Sequence, residues 1–170
     1  GIETIERFFG AALARKLVRE RGHASLTAAN NVLAHVPDIN DFVSGFAVLL
    51  APEGVATFEF PHLAALVAGC QFDTIYHEHY SYLSLTAVSR IFASQGLKVF
   101  DVERLPTHGG SLRVFACHES AGHAASPHVA ALLAEEEQVG MKTLAYYGTL
   151  GAEAARIKLE LLEFLVAQKR

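Results

Sequence analysis

Between Asp73 and Tyr82 the chain gathers Tyr76, His77, Glu78, His79, Tyr80 and Tyr82 within ten residues. Imidazole, carboxylate and phenol groups can give, take or share protons near neutral pH. The tyrosine spacing fits neither a helix face nor a strand face, so a loop is expected here. Two readings of the cluster stand side by side: a catalytic constellation and a satisfied turn with aromatic packing. His77 and His79 also form a His-x-His pair. With a third ligand from His35, His62 or His108 it would make a metal-dependent hydrolase, although zinc sites want three or four ligands.

The surrounding elements decide where such a loop lies. A helix is expected over about Gly10 to Glu20, stopped by Gly22. Ser25 to Ala29 reads as a buried strand with Asn30 and Asn31 at its carboxyl end. Pro37 and Asp38 open a second helix through Ile39, Phe42, Val43, Phe46 and Leu50, closed by Pro52 and Gly54. Val55 to Phe60 reads as another buried strand. Strand, helix, strand implies a right-handed crossover and a parallel pair, in an α/β fold. Ligands in such sheets sit beyond the carboxyl ends of the strands. Asn30, Asn31 and His35 lie at one such end, Phe60-Pro61-His62 at the next, and the cluster follows.

Leu63 to Gln71 reads as a short helix or covering loop. Ser84 is the expected N-cap of a helix through Leu85, Val88, Ile91 and Phe92, ending at Gly96. Leu97–Val102 and Ser111–Cys117 read as strands with no helix between them, hence antiparallel. Their connection carries His108, Gly109 and Gly110. The glycine pair is turn chemistry or a point of close backbone approach to a ligand. Two further helices are expected, Pro127 to Tyr147 and Ala152 to Lys169, broken near Gly148. The run Glu135-Glu136-Glu137 reads as a solvated face. The apolar width of the last helix asks for a partner: the domain itself, a downstream domain or a second subunit.

The chain has 170 residues, 51% of them hydrophobic, and a formal charge of -4. That allows one compact domain with an appendage. Mild acidity and the lack of a Lys/Arg cluster argue against nucleic acid. No apolar run reaches spanning length, and no signal peptide is evident. Cys70 and Cys117, without CxxC spacing, are expected as reduced thiols of a cytoplasmic protein. The pattern at both ends is that expected of a piece of a longer protein.

Four strings in order carry a resemblance: Asn30-Asn31-Val32-Leu33-Ala34-His35-Val36-Pro37-Asp38, Glu59-Phe60-Pro61, Phe72 through Tyr82, and Leu105-Pro106-Thr107-His108-Gly109-Gly110-Ser111-Leu112-Arg113-Val114. Together they resemble the nucleotide-sugar C-methyltransferases, which methylate keto-deoxysugars with S-adenosylmethionine (SAM). The resemblance implies a Rossmann-like class I methyltransferase half-sheet followed by C-terminal helices. Residues 1–118 would be the C-terminal half of the methyltransferase domain. Residues 119–170 would be a helical linker and the start of a C-terminal domain. The glycine-rich SAM loop, its acidic ribose partner and the zinc-ligand cysteines of an N-terminal domain are not in this sequence, so zinc is not expected here. By motif match, His79 would be the general base, Glu78 would orient it or a neighbour, Tyr76 would hydrogen-bond the sugar or share a proton, and His35 would polarise the carbonyl. Asn30, Asn31 and Phe8 would touch SAM. His108, Ser111 and Arg113 would meet the nucleotide sugar. Without its first half, the alternative is a non-catalytic scaffold.

Overall fold

The computed structural model describes residues 1–169. After an irregular start, helix α1 spans Ala11–Arg21 and strand β1 spans Ala24–Asn30. A 3-10 turn at Leu33–His35 leads to α2, Ile39–Leu49, and β2, Leu50–Pro61. Helix α3 is Leu63–Ala68, and a 3-10 turn at Phe72–Thr74 opens the cluster loop. Then follow α4 (Leu85–Ser94), β3 (Leu97–Leu105), a 3-10 turn at Thr107–Gly109 and β4 (Ser111–His118). Helices α5 (Pro127–Gln138) and α6 (Leu144–Gln168) end the described chain.

The four strands form one mixed sheet in the order β1-β2-β4-β3. β1 and β2 are parallel, while β4 runs antiparallel to both β2 and β3. This is the expected α/β arrangement: a parallel pair joined through a helix, then an antiparallel hairpin. The carboxyl ends of β1, β2 and β3 and the amino end of β4 therefore share one sheet edge. A polar row crosses all four strands near it, with Asn30 opposite Glu59, Glu59 opposite Arg113, and Arg113 opposite Glu103, the last three charged.

One face of the sheet makes the core. Phe58, Phe60, Leu112, Val114 and Ala116 are fully buried against Phe46 of α2 and Phe92 of α4. Rings of Phe9, Phe46, Phe58 and Phe92 follow one another at centroid spacings of 4.8, 4.7 and 4.8 Å, edge to face. Each of the three buried rings, Phe46, Phe58 and Phe92, contributes roughly 1.5–3 kcal/mol of transfer free energy. Val129 and Leu132 of α5 enter the same core.

Caps fall where the sequence places them. The Asp38 carboxylate accepts from Asp41 N, and Ser84 Oγ accepts from Ala87 N. Five expectations need correction. β1 is an edge strand rather than a buried one, pairing only with β2 among the described residues, and Leu26 is 69% exposed. α2 ends before Pro52 and Gly54, which lie inside β2 where its register against β1 shifts; an edge-side irregularity tolerates proline. β3 continues three residues past Val102 to Leu105. The C-terminal break is at Gly140, whose φ of 82° ends α5, and α6 runs through Gly148. Glycine in a helix interior costs only about 1 kcal/mol, which the long helix absorbs. Finally, Glu136 is not solvated: it is 2% exposed, with Glu135 and Glu137 on either side paired to Arg104 and Lys142.

Candidate active site

Backbone hydrogen bonds fasten the cluster loop to the turn after β1. Tyr80 N and Ser81 N both donate to the Ala34 carbonyl, at 2.9 and 3.2 Å. From the opposite direction, His35 Nδ1 donates to the Glu78 carbonyl at 3.0 Å. These bonds bring His35 beside His79, their ring centroids 4.7 Å apart. Tyr76 covers another side of His79 at 4.4 Å, and Tyr82 stands edge-on at 5.9 Å.

His79 Nδ1 donates to the Thr74 carbonyl at 2.8 Å. A carbonyl can only accept, so the neutral ring carries its proton on Nδ1 and keeps a lone pair on Nε2. His35 is held in the same tautomer by the Glu78 carbonyl. The loop and the turn after β1 thus present two imidazoles with free Nε2 atoms, with a phenol against that of His79. His79 also lines a small apolar cavity with Ala34, Pro61, Leu63, Leu66, Thr74, Tyr82 and Leu83.

His79, Tyr76 and His35 are therefore brought together. Glu78 joins them through its backbone, while its carboxylate is exposed and lies 4.0 Å from His77 Nε2, not on His79. His77 is exposed and outside the ring cluster. Among the described residues no three His, Cys, Asp or Glu side chains converge as metal ligands.

Of the residues matched to SAM, Asn30 ends β1 and Asn31 follows it with φ of 55°. Asn31 N donates to the Glu59 carbonyl at 2.7 Å, while its buried Oδ1 has no partner. A buried amide oxygen without a donor fits a site that a polar ligand completes. Phe9 packs on Phe42 and Phe46 as core, but Phe8 is fully exposed and free to stack on a ligand.

The substrate-side residues divide. His108, at φ 51°, is exposed on the turn beside the loop. Ser111 is instead buried and its Oγ donates to the Thr107 carbonyl at 3.0 Å, closing that turn. Arg113 Nη2 donates to Glu59 Oε2 at 2.9 Å, and its Nη1 lies 3.7 Å from Glu103. Thr107 Oγ1 donates to the other Glu59 oxygen at 3.1 Å, so the 5%-exposed Glu59 is satisfied on both oxygens. Arg113 and Ser111 thus build the floor and the turn. The glycine pair closes on protein: a side chain at Gly110, φ 122°, would come within 2.7 Å of Ala65 Cβ.

Several supporting residues escaped sequence reasoning. Gln71 Nε2 donates to the Gly109 carbonyl at 2.8 Å and ties the cluster loop to the His108 turn. Glu59 stood in one of the four motif strings, but its partners Arg113 and Thr107 were not legible from sequence. The carbonyls of Ala34 and Thr74 carry no sequence signal, because any residue provides one.

Residues 106–170 match the model of the C-methyltransferase C-terminal domain. The chain is 38% identical over 165 residues to C-methyltransferase NovU of Streptomyces niveus, a match that takes in 97% of this chain and 39% of that protein. The chain thus spans 39% of the length of that relative. Among solved structures, it is similar to magnesium protoporphyrin IX methyltransferase of Synechocystis PCC 6803 with bound SAH. That similarity has 14% identity, a TM-score of 0.46, and coverage of 57% of this chain and 46% of that one. A putative methyltransferase complexed with the Haloferax volcanii Trm112 activator aligns at 12% identity and TM-score 0.48, over 56% and 54% of the two chains. The sequence matches make the chain similar to the C-methyltransferases over nearly its whole length. The residues matched by the C-terminal-domain model begin at Pro106, in the connection before β4.

Proposed function

We propose that this chain supplies the base and part of the cofactor site of a SAM-dependent C-methyltransferase. Its substrate is a carbon beside the ketone of a nucleotide-linked keto-deoxysugar. The observation that carries the reading is the fixed tautomer of His79, whose Nδ1 is occupied by Thr74 O and whose Nε2 is free.

A C–H next to a ketone ionises only if a base takes the proton as charge moves onto the carbonyl oxygen. His79 Nε2 takes that proton. Tyr76, in contact with His79, donates to the sugar or passes the proton on. His35 stands across His79 and faces the carbonyl oxygen; to donate there it must carry a proton on Nε2 as well as the one on Nδ1. Bound SAM would supply an electrophilic methyl group on a sulfonium. Asn30 and Asn31 would hold its methionine part and Phe8 its adenine, while His108 would contact the nucleotide sugar. Holding the two reactants face to face supplies much of the remaining rate. Among the described residues no helix is long and apolar enough to cross a membrane. We assign the protein to the cytoplasm, with no nucleic-acid partner.

The test is product analysis. The intact protein that carries this sequence is incubated with SAM and a panel of keto nucleotide sugars. A product heavier by one methylene, with the new methyl on the carbon beside the ketone, supports the reading. Binding of SAM and sugar without product returns the scaffold alternative.

A further inference from the structure

Glu136 projects from α5 into the core, and each of its carboxylate oxygens is engaged there. Oε1 accepts from His62 Nε2 at 2.9 Å and from Leu85 N at 2.7 Å. Oε2 accepts from Thr86 N at 2.8 Å. Ser84 Oγ takes the next free amide of the α4 amino terminus, Ala87 N, at 3.1 Å. One carboxylate from the C-terminal part therefore caps α4 and grips the residue that follows β2.

His62 is a junction. Its backbone N donates to the Gly110 carbonyl at 2.9 Å, next to the His108 turn. It also bridges to Leu83, and Leu63 N donates to the Leu83 carbonyl at 2.9 Å. Leu83 closes the cluster loop and, with Leu63, lines the small cavity that His79 borders. The His62–Glu136 pair is thus anchored at the far end of the loop that holds the proposed base. An ion-paired or charge-assisted contact in so dry a place, with His62 7% and Glu136 2% exposed, holds its geometry tightly.

We infer that Glu136 is a positioning residue of the methyl-transfer site: through His62 and the amino terminus of α4 it fixes the Leu83 end of the loop and so the tautomer and placement of His79. The inference rests on the reading of His79 as the base. It makes the docking of α5 a condition for a competent site, and so joins the C-terminal part to the chemistry.

The test reads the His79 ring directly and needs no substrate. Histidine side chains of the intact protein are labelled with nitrogen-15, and long-range proton–nitrogen NMR is recorded near pH 8, above the ordinary imidazole range of about 6.5. Wild type should show His79 with its proton on Nδ1. In Glu136→Gln at least one of the three donors loses its acceptor, and the Nδ1 preference should fall by at least about threefold, the size expected when a hydrogen bond of ordinary net strength is loosened. His62→Gln, which keeps a donor towards Glu136, should stay close to wild type. An unchanged His79 tautomer in folded Glu136→Gln would overturn the inference, whatever its melting temperature. If that variant does not fold, His62→Ala, which leaves α4 capped, takes its place: the same fall in Nδ1 preference is expected, and an unchanged tautomer overturns the inference. Because no turnover is involved, failure here leaves the base reading standing, whereas loss of the base reading shows in the substrate's proton exchange.

Discussion

The proton on His79 sits at Nδ1 because the Thr74 carbonyl offers only lone pairs. A neutral ring in that state needs no rearrangement before it accepts at Nε2. Tyr76 lies against it at 4.4 Å and is itself exposed, so its phenol is available to a bound ligand. Tyr76→Phe should therefore slow methyl transfer about tenfold, the equivalent of one hydrogen bond near 1.4 kcal/mol, with little change in melting temperature. Steady-state kinetics beside a thermal melt checks this. An unaltered rate would remove the phenol from the reaction. Burial pushes the Cys117 thiol upward, which makes it an inert core residue at neutral pH.

At the scale of elements, the amino terminus of α4 and the turn before β4 hold the loop from two directions. Burial pushes the Glu136 carboxyl upward, but the donors from His62, Thr86 and Leu85 together outweigh it and hold it below the ordinary carboxylate range. A folded-state pKa below the unfolded one means stability that is complete above the unfolded value and lost as pH falls through the folded one. Wild type should therefore lose melting temperature steeply from about pH 5 downward, and Glu136→Gln, already less stable at pH 7, should show a shallower acid limb. Thermal melts across that range decide it, and parallel limbs would contradict the assignment. The Gly110 turn gives a second expectation. Gly110→Ala, with φ 122° and 2.7 Å from Ala65 Cβ, should cost about 1–3 kcal/mol in urea unfolding. A neutral substitution would mean that the turn gives way easily. The strands, the caps at Asp38 and Ser84 and the antiparallel last pair were legible from period and punctuation. Glu136 was not, because a charge run on a helix looks the same whether its middle member meets water or the amino end of another helix. Gly148 misled in the other direction: glycine weakens a helix without ending it.

At the scale of the molecule, the polar row at the sheet edge, the Ala34 and Thr74 carbonyls and the α5 carboxylate come from distant parts of the sequence. Motif order alone could suggest that His35, Tyr76 and His79 belong together. Which atoms hold them depended on the fold. Ser111 and Arg113 share a motif with His108 but are consumed by the turn and the strand row. Among the apolar side chains left open on the described chain are Leu26 on β1 and a row on α6 made of Leu159, Leu161, Leu162, Phe164, Leu165 and Val166. Exposed apolar area of this kind marks contact with more protein. Expressed as these 170 residues, the chain should bind a hydrophobic dye and sediment above its 18.4 kDa mass, and Leu162→Glu with Val166→Glu should reduce both. A monomer that ignores the dye would contradict this.

The measurement that bears most directly on the central claim is proton exchange at the substrate carbon. The intact protein carrying this sequence is placed in deuterium oxide with a 4-keto nucleotide sugar and S-adenosylhomocysteine, and the C–H signal beside the ketone is followed by NMR. With His79 as base, wild type should wash out that signal. His79→Asn should slow the loss by at least about a hundredfold while sugar binding survives. Exchange at the wild-type rate in His79→Asn would contradict the assignment and move the base to Tyr76 or His35.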